Sequence, residues 1–139
     1  MKKAFSFILV LLMIQFTNAQ DSWTIKLNNK VLLTASKEDT LANTKKVKAL
    51  EWRKTGFLEV IYKEAESNSI WKYSFSFTDE KGNQLLLKDS VTHAKISNAT
   101  LRKSFAGKKR IIIYADQNPK NPMIMIRSRR IYLCTLLLP

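Results

Sequence analysis

Residues 70–78 read Ile-Trp-Lys-Tyr-Ser-Phe-Ser-Phe-Thr, and residues 79–83 continue with Asp-Glu-Lys-Gly-Asn. From Trp71 to Phe77 every second residue is aromatic, which is the period of a β-strand that buries one face. The stretch that follows is typical of a turn, with Gly82 where a positive φ is needed. The sequence therefore predicts an aromatic strand that begins a hairpin, and the rest of the chain must supply a cover for its rings.

Short alternating segments separated by turn residues occur along most of the remaining chain. Strands are expected at 23–27, 31–35, 47–53, 57–64, 70–78, 84–87, 93–96 and 111–115, and at 123–138 as one bent strand or two. One short helix is expected near 98–106, capped by Ser97 or Asn98 and ended by Gly107. This pattern predicts an all-β fold, an antiparallel β-sandwich of immunoglobulin-like or jelly-roll-like type with about eight or nine strands.

The N-terminus has the composition of a secretory signal peptide. Lys2 and Lys3 precede an apolar run from Phe5 to Phe16, and Ala19 is a small residue suited to cleavage. About 12 apolar residues are too few to span a bilayer. The segment resembles export signals of Gram-negative bacteria. We therefore expect residues 1–19 to be removed and residues 20–139 to form a single β-sandwich domain, periplasmic or secreted, without a transmembrane segment.

The chain is strongly basic. It contains 24 lysines and arginines and 11 aspartates and glutamates, a formal net charge of +13, or two less after loss of Lys2 and Lys3. Such a charge favours contact with anionic surfaces without specifying which one. The alternative is that the lysines keep a β protein soluble and protect its edge strands.

Several basic clusters could bind an anion. Arg127 and Arg129 are two apart, so a regular strand would present both guanidinium groups on one face, where they could bind phosphate, sulfate or carboxylate. A further cluster is Lys45, Lys46 and Lys48. The residues predicted to bind an anion are Arg127, Arg129, Arg130, Lys108, Lys109 and Arg110, provided that the fold brings the two groups together.

Catalytic patterns are weak in this sequence. His93 is the single histidine, and Asp89, Ser90 and His93 are too close along an extended chain to form a triad. The neighbouring carboxylates at 64–66 and 79–80 fall at predicted turns. The sequence therefore favours a protein that is not an enzyme, with no catalytic residues assigned.

The sulfur-containing residues suggest no cofactor. Met123 and Met125 could present two thioethers to Cu(I), but we expect both side chains to fill the core. Cys134 lies in an apolar segment and is expected to be a buried free thiol. No metal and no other cofactor is predicted.

The function expected from these features is that of an exported, non-catalytic binding module. Its cationic surface would recognise an anionic glycan, lipopolysaccharide or an acidic protein, and export makes nucleic acid an unfavoured partner. One alternative is a small hydrolase of envelope polymers that uses carboxylates or His93. Another is a structural subunit that assembles through edge strands, with Leu136–Leu138 as the site of strand addition.

Overall fold

The computed structural model describes residues 20–66 and 70–139 of the chain. Within these residues the protein is mostly β, with nine strands and two short helices. The strands are β1 Ser22–Leu27, β2 Lys30–Ala35, β3 Thr44–Lys46, β4 Phe57–Lys63, β5 Trp71–Thr78, β6 Gln84–Lys88, β7 His93–Ser97, β8 Arg110–Pro119 and β9 Arg129–Leu137. The helices are α1 Ala49–Arg53 and α2 Asn98–Ser104. The predicted signal peptide, residues 1–19, lies outside the described residues.

The strands form two sheets. The four-stranded sheet has the order β2-β1-β4-β7 and is antiparallel throughout. The five-stranded sheet has the order β3-β9-β8-β5-β6, and only the short pair β3–β9 is parallel. β9 therefore lies inside a sheet and pairs on both sides, so the predicted strand addition at its C-terminal leucines has no free edge to use.

The aromatic strand is present as predicted, and it is more deeply buried than its alternation suggests. Tyr73, Phe75 and Phe77 face the core, and the serines between them are buried as well. Ser74 donates a hydrogen bond to Asp89 Oδ1 at 2.5 Å, and Ser76 donates one to Asp116. Because these hydroxyls are satisfied, the strand can bury both faces without leaving an unpaired polar group.

Buried residues from both sheets belong to one apolar cluster. Trp23 of β1 donates its indole N–H to the carbonyl oxygen of Leu133 in β9, at 3.0 Å. The rings of Tyr62 in β4 and Tyr73 in β5 have centroids 4.6 Å apart. The four-stranded sheet therefore supplies the cover that the aromatic rings of β5 need.

Turn residues behave as expected at three positions. Gly82 has a φ of 83° in the β5–β6 turn, where Asp79 Oδ1 accepts hydrogen bonds from the backbone N–H groups of Lys81 and Asn83. Ser97 caps α2 by accepting a hydrogen bond from the N–H of Thr100, and Gly107 follows the helix with a φ of 74°. The predicted helix near 98–106 is confirmed, with its last turn at Ser104.

The predicted strand at 47–53 is wrong, because residues 49–53 form α1. No side chain caps the start of this helix, and none of its residues is buried, which explains why no helical apolar stripe marks it in the sequence. The spacing of Glu51 and Lys54, three apart and paired at 2.8 Å, is the local signal for a helix. The fold contains two short helices instead of one.

The expectations for residues 116–130 also require correction. β8 continues to Pro119, where it pairs with Trp71 at the start of β5, so this strand is longer than the predicted 111–115. β9 begins only at Arg129, and residues 123–126 are outside any strand. Met123 and Met125 do not fill the core as predicted, since Met123 is 85% exposed and Met125 is fully exposed.

Candidate functional site

The two groups of predicted anion-binding residues lie at opposite ends of the five-stranded sheet. Arg110 of β8 is in register with Leu137 of β9, whereas Gln117 of β8 is in register with Arg129. The two positions on β8 are therefore about 23 Å apart along the strand. Lys108, Lys109 and Arg110 do not share a surface with Arg127, Arg129 and Arg130.

Three of these six side chains already pair with carboxylates. Lys108 Nζ is 2.9 Å from Asp79 Oδ2, and Arg129 Nη2 is 2.9 Å from Glu38 Oε2. Arg130 binds Asp116 through two hydrogen bonds, of 2.6 and 3.1 Å. Lys109, Arg110 and Arg127 make no side-chain hydrogen bond or ion pair within residues 20–66 and 70–139. Arg127 also precedes β9, so it does not share a strand face with Arg129.

The excess of basic over acidic residues is concentrated at one end of the protein, which we call the helix end. It carries the β1–β2 turn, both helices and the start of β8. Lys46 and Arg110 are both in register with Leu137, one on each side of β9, so they are about 10 Å apart. The basic side chains at this end are Lys30, Lys46, Lys48, Arg53, Lys54, Lys81, Arg102, Lys103, Lys108, Lys109 and Arg110, and the carboxylates are Glu51, Asp79 and Glu80.

A cleft of about 460 Å³ opens at the helix end, between β2, the end of β3 and α1. We call it the lysine cleft. β2 and β3 are edge strands of the two sheets, so the cleft lies where the sheet edges meet. Its lining residues are Leu27, Lys30, Val31, Leu32, Lys46, Val47, Lys48, Leu50, Glu51 and Lys54.

Half of the residues that line the lysine cleft are apolar. Leu27 and Val47 are buried at its base, whereas Val31 is 58% and Leu50 70% exposed. Exposed β-branched and leucine side chains beside a cleft leave apolar surface in contact with water, and a ligand with an apolar part would cover it. Lysine stems add to this surface, because their methylene groups pack on apolar residues while the ammonium groups stay in water.

Glu51 is the single carboxylate among the cleft-lining residues. Its side chain is 14% exposed, and it accepts hydrogen bonds from Lys54 at 2.8 Å, Asn28 at 3.0 Å and Lys30 at 3.2 Å. These contacts, led by the one from Lys54, lower the pKa of Glu51 from 4.5 to about 2. The carboxylate is thus ionised at neutral pH and its charge is matched by two lysines.

Lys46 and Lys48 carry two of the three excess positive charges of the cleft. Neither has an ion-pair partner within the described residues, and both side chains are exposed. An anionic group at the mouth of the cleft would therefore meet two ammonium groups without displacing an existing ion pair. The cluster of Lys46 and Lys48 is visible in the sequence. Because α1 was not predicted, the sequence did not indicate that Leu50, Glu51 and Lys54 line the same cleft.

A buried hydrogen-bond network holds this end in place. Asn98, which has no exposed surface, donates from Nδ2 to Asn28 Oδ1 at 2.7 Å and to the Lys54 carbonyl at 2.9 Å. Asn28 in turn donates to the backbone and the side chain of Glu51. The β1–β2 turn, α1 and α2 are therefore tied together, and the lysine cleft is a preformed structure.

The opposite end, which we call the loop end, has two cavities of about 390 and 530 Å³ that share Asp21 and Gln117. Some of their polar groups pair with one another. Asp21 Oδ2 accepts a hydrogen bond from the Tyr62 hydroxyl at 2.8 Å, and Gln117 donates to the Tyr73 hydroxyl at 2.9 Å. Burial and the contact with Asp21 raise the pKa of Tyr62. Four carboxylates, Asp21, Glu38, Glu64 and Glu66, line these cavities, so the cavities suit an anionic ligand less well than the lysine cleft does.

The residues considered for catalysis are not assembled into a reactive site among the described residues. His93 Nε2 is 3.0 Å from Glu59 Oε2 on the exposed side of β4 and β7, and no hydroxyl or thiol contacts the imidazole. Ser74 and Ser76 pair with carboxylates and have no histidine beside them.

The metal-binding side chains are equally dispersed. Within residues 20–66 and 70–139 there is no group of three or more histidine, cysteine or carboxylate side chains that could hold a metal ion. Cys134 is buried, as predicted, and burial raises its pKa to about 12. Neither helix of the described chain is long and apolar enough to cross a membrane.

Comparison of the chain with models of known protein families, with curated proteins and with solved structures finds no match.

Proposed function

We propose that the protein is an exported, non-catalytic binding module that recognises an anionic ligand at the lysine cleft. The two sheets, joined by the Trp23–Leu133 hydrogen bond and one apolar cluster, would form an antiparallel sandwich of immunoglobulin-like or jelly-roll-like type. Residues 20–139 would be one domain. The observation that carries the proposal is the cleft itself, in which unpaired lysines stand beside exposed apolar walls.

The lining of the cleft narrows the kind of ligand. A fully polar anion would use Lys46 and Lys48 but would leave Val31 and Leu50 in water. A neutral apolar ligand would use Val31 and Leu50 but would place nothing beside the two ammonium groups. An amphiphile with one phosphate or carboxylate head would contact both the two ammonium groups and the two apolar side chains. Among anionic envelope components, a lipid-like one such as the acylated part of lipopolysaccharide therefore fits best.

Binding of dodecyl phosphate, measured by calorimetry below its micelle-forming concentration, tests this proposal. We expect saturable binding of one ligand that persists when salt is raised to near-physiological strength. Inorganic phosphate and the neutral dodecyl maltoside should each bind much more weakly, because each lacks one half of the interaction. Equal binding of all three, or loss of dodecyl phosphate binding with added salt alone, would contradict the proposal.

A pair of matched variants locates the binding. Lys46→Gln with Lys48→Gln should weaken dodecyl phosphate by at least about tenfold, since a charge-assisted hydrogen bond contributes roughly 1.5 kcal/mol or more. Lys63→Gln with Lys88→Gln removes the same charge from exposed lysines outside the cleft, and should leave the affinity within about twofold. An equal loss in both variants would mean that net charge, and not the cleft, attracts the ligand.

A further inference from the structure

The loop between β8 and β9 exposes an unusual run of apolar side chains. Residues 123–126 read Met-Ile-Met-Ile, and all four are exposed, Met123 at 85% and Met125 fully. Exposed large apolar residues are normal when scattered, but four in succession at the tip of one loop are not. We call residues 120–128 the apolar loop. It belongs to the loop end, which is the end of the sheets opposite the lysine cleft.

The backbone of the apolar loop is folded back on itself. The N–H of Met123 donates to Asn121 Oδ1 at 3.0 Å, that of Ile124 to the Asn121 carbonyl at 3.1 Å, and that of Ile126 to the Ile124 carbonyl at 2.9 Å. A partner strand would need these donors free and the chain extended. An apolar medium favours the opposite arrangement, because internal hydrogen bonds reduce the cost of removing the backbone from water.

The ends of the apolar loop are cationic. Lys120 precedes the run and Arg127 follows it, and neither side chain has an acidic partner within the described residues. The nearby Arg129 is held by Glu38 at 2.9 Å. An apolar tip between two basic residues matches the boundary of a lipid membrane, where acyl chains lie below anionic headgroups.

We propose that residues 123–126 insert into the interface of a lipid membrane, with Lys120 and Arg127 at the level of the phosphates. Ile124 and Ile126 are 36% and 39% exposed, so each is partly covered by the protein, and Met123 and Met125 are the side chains that would enter the lipid furthest. The contact is separate from the lysine cleft and does not depend on the function proposed for it.

Co-sedimentation with lipid vesicles tests the insertion. The wild-type protein should bind vesicles of phosphatidylcholine, and more tightly vesicles that also contain phosphatidylglycerol. Met123→Ser with Met125→Ser should reduce the partition coefficient by about tenfold or more, because two large apolar side chains no longer leave water. Leu41→Ser with Leu87→Ser likewise replaces two exposed large apolar side chains by serine, at 90% and 49% exposure outside the apolar loop, and should bind like the wild type.

A fluorescent label shows whether the loop enters the bilayer. Cys134 is buried and should not react in the folded protein, so Met125→Cys provides a single reactive thiol for an environment-sensitive dye. The dye at position 125 should shift to the blue on vesicle binding and be quenched by lipids that carry a nitroxide on the acyl chain. The same dye at Leu41→Cys should show neither change.

Three results would overturn the proposal. One is the absence of binding to any vesicle, which would leave a partner protein as the occupant of the loop. Another is binding that salt abolishes and that the methionine variant does not weaken, because the contact would then be electrostatic adsorption only. The third is loss of vesicle binding in Lys46→Gln with Lys48→Gln but not in the methionine variant, since the membrane would then be bound by the helix end.

Discussion

Gly56 is a residue whose role depends on a neighbour's side chain. A Cβ atom at position 56 would lie 2.0 Å from Asn28 Oδ1 and 2.8 Å from Asn28 Cγ, far inside van der Waals contact. Asn28 cannot easily move, because its amide holds Glu51 and accepts a hydrogen bond from the buried Asn98. The absence of a side chain at Gly56 is therefore a condition for the network that shapes the lysine cleft.

Replacement of Gly56 by alanine should destabilise the protein by about 1–3 kcal/mol, the usual cost of overpacking. Asn28→Gly keeps the φ of 51° accessible while removing the atoms that clash. In that background the additional cost of Gly56→Ala should largely disappear. Urea unfolding of the wild type, the two single variants and the double variant measures this coupling.

Gly82→Ala, at an open position with a φ of 83°, serves as the control, since its cost in stability should be the same with or without Asn28. Additive effects of the Gly56 and Asn28 changes would refute the steric explanation.

At the level of elements, α1 depends on contacts made outside itself. It is a single short turn of helix with no side-chain cap and no buried residue, so its own hydrogen bonds cannot maintain it. Glu51 is tied to Lys30 and Asn28 of the β1–β2 hairpin, and Arg102 of α2 donates to the Trp52 carbonyl at 2.6 Å. The lysine cleft therefore exists only while these contacts hold α1 against the edge of β2.

Acid should weaken this attachment in a defined range. The pKa of Glu51 is lowered from 4.5 to about 2, so the folded protein binds fewer protons than the unfolded chain between these values. The stability that Glu51 contributes is complete above about pH 4.5 and is lost as the pH falls toward 2. Thermal unfolding of the wild type and Glu51→Gln should therefore differ at pH 6 and converge near pH 2.

The control for this pH dependence is Glu66→Gln, which removes the same charge from an exposed carboxylate. The melting temperature of Glu66→Gln should follow that of the wild type closely at every pH. A difference between the wild type and Glu51→Gln that stays constant from pH 6 to pH 2 would show that the carboxylate of Glu51 is not held by the lysines as described.

The elements that could be predicted from the sequence are those whose pattern is local. The alternation in β5, the turn at Gly82 and the Ser97 cap each specify their own structure within a few residues, and the structure contains all three. α1 could not be predicted in this way, because partners distant in sequence stabilise it. Residues 123–126 were misplaced for the opposite reason, since apolar composition predicts burial and these side chains are exposed.

The site was predicted less well than the fold because it depends on which segments are neighbours. The pairing of β3 and β8 with β9 places Lys46 beside Arg110 and separates both from Arg129. No local pattern in the sequence encodes that order. The excess of basic residues was visible, but the carboxylates that pair with Lys108, Arg129 and Arg130 were not identifiable as their partners.

At the level of the whole molecule, the two ends of the sheets are chemically different. The helix end has an excess of cations and a preformed cleft, whereas the loop end has more carboxylates and the apolar loop. A protein that contacts a membrane at the loop end would hold the lysine cleft away from the bilayer, facing the solvent. Such an arrangement suits a module that receives an anionic amphiphile from solution or from another protein.

This arrangement requires the two sheets to behave as one cooperative unit, and unfolding can test that. Trp23 belongs to the four-stranded sheet and Cys134 to the five-stranded sheet, and both are almost completely buried. In a Trp52→Phe, Trp71→Phe background, the fluorescence of Trp23 reports the first sheet. The reaction of Cys134 with a thiol reagent reports the second sheet, because burial and a pKa raised to about 12 make the thiol unreactive until β9 opens.

The Trp23–Leu133 hydrogen bond and the shared core predict the same urea midpoint for both signals. In a Cys134→Ser background, Leu41→Cys should react without urea, which confirms that the reagent is not limiting. If Cys134 reacts at a lower urea concentration than Trp23 changes its fluorescence, the five-stranded sheet opens independently, and residues 20–139 do not form one cooperative domain.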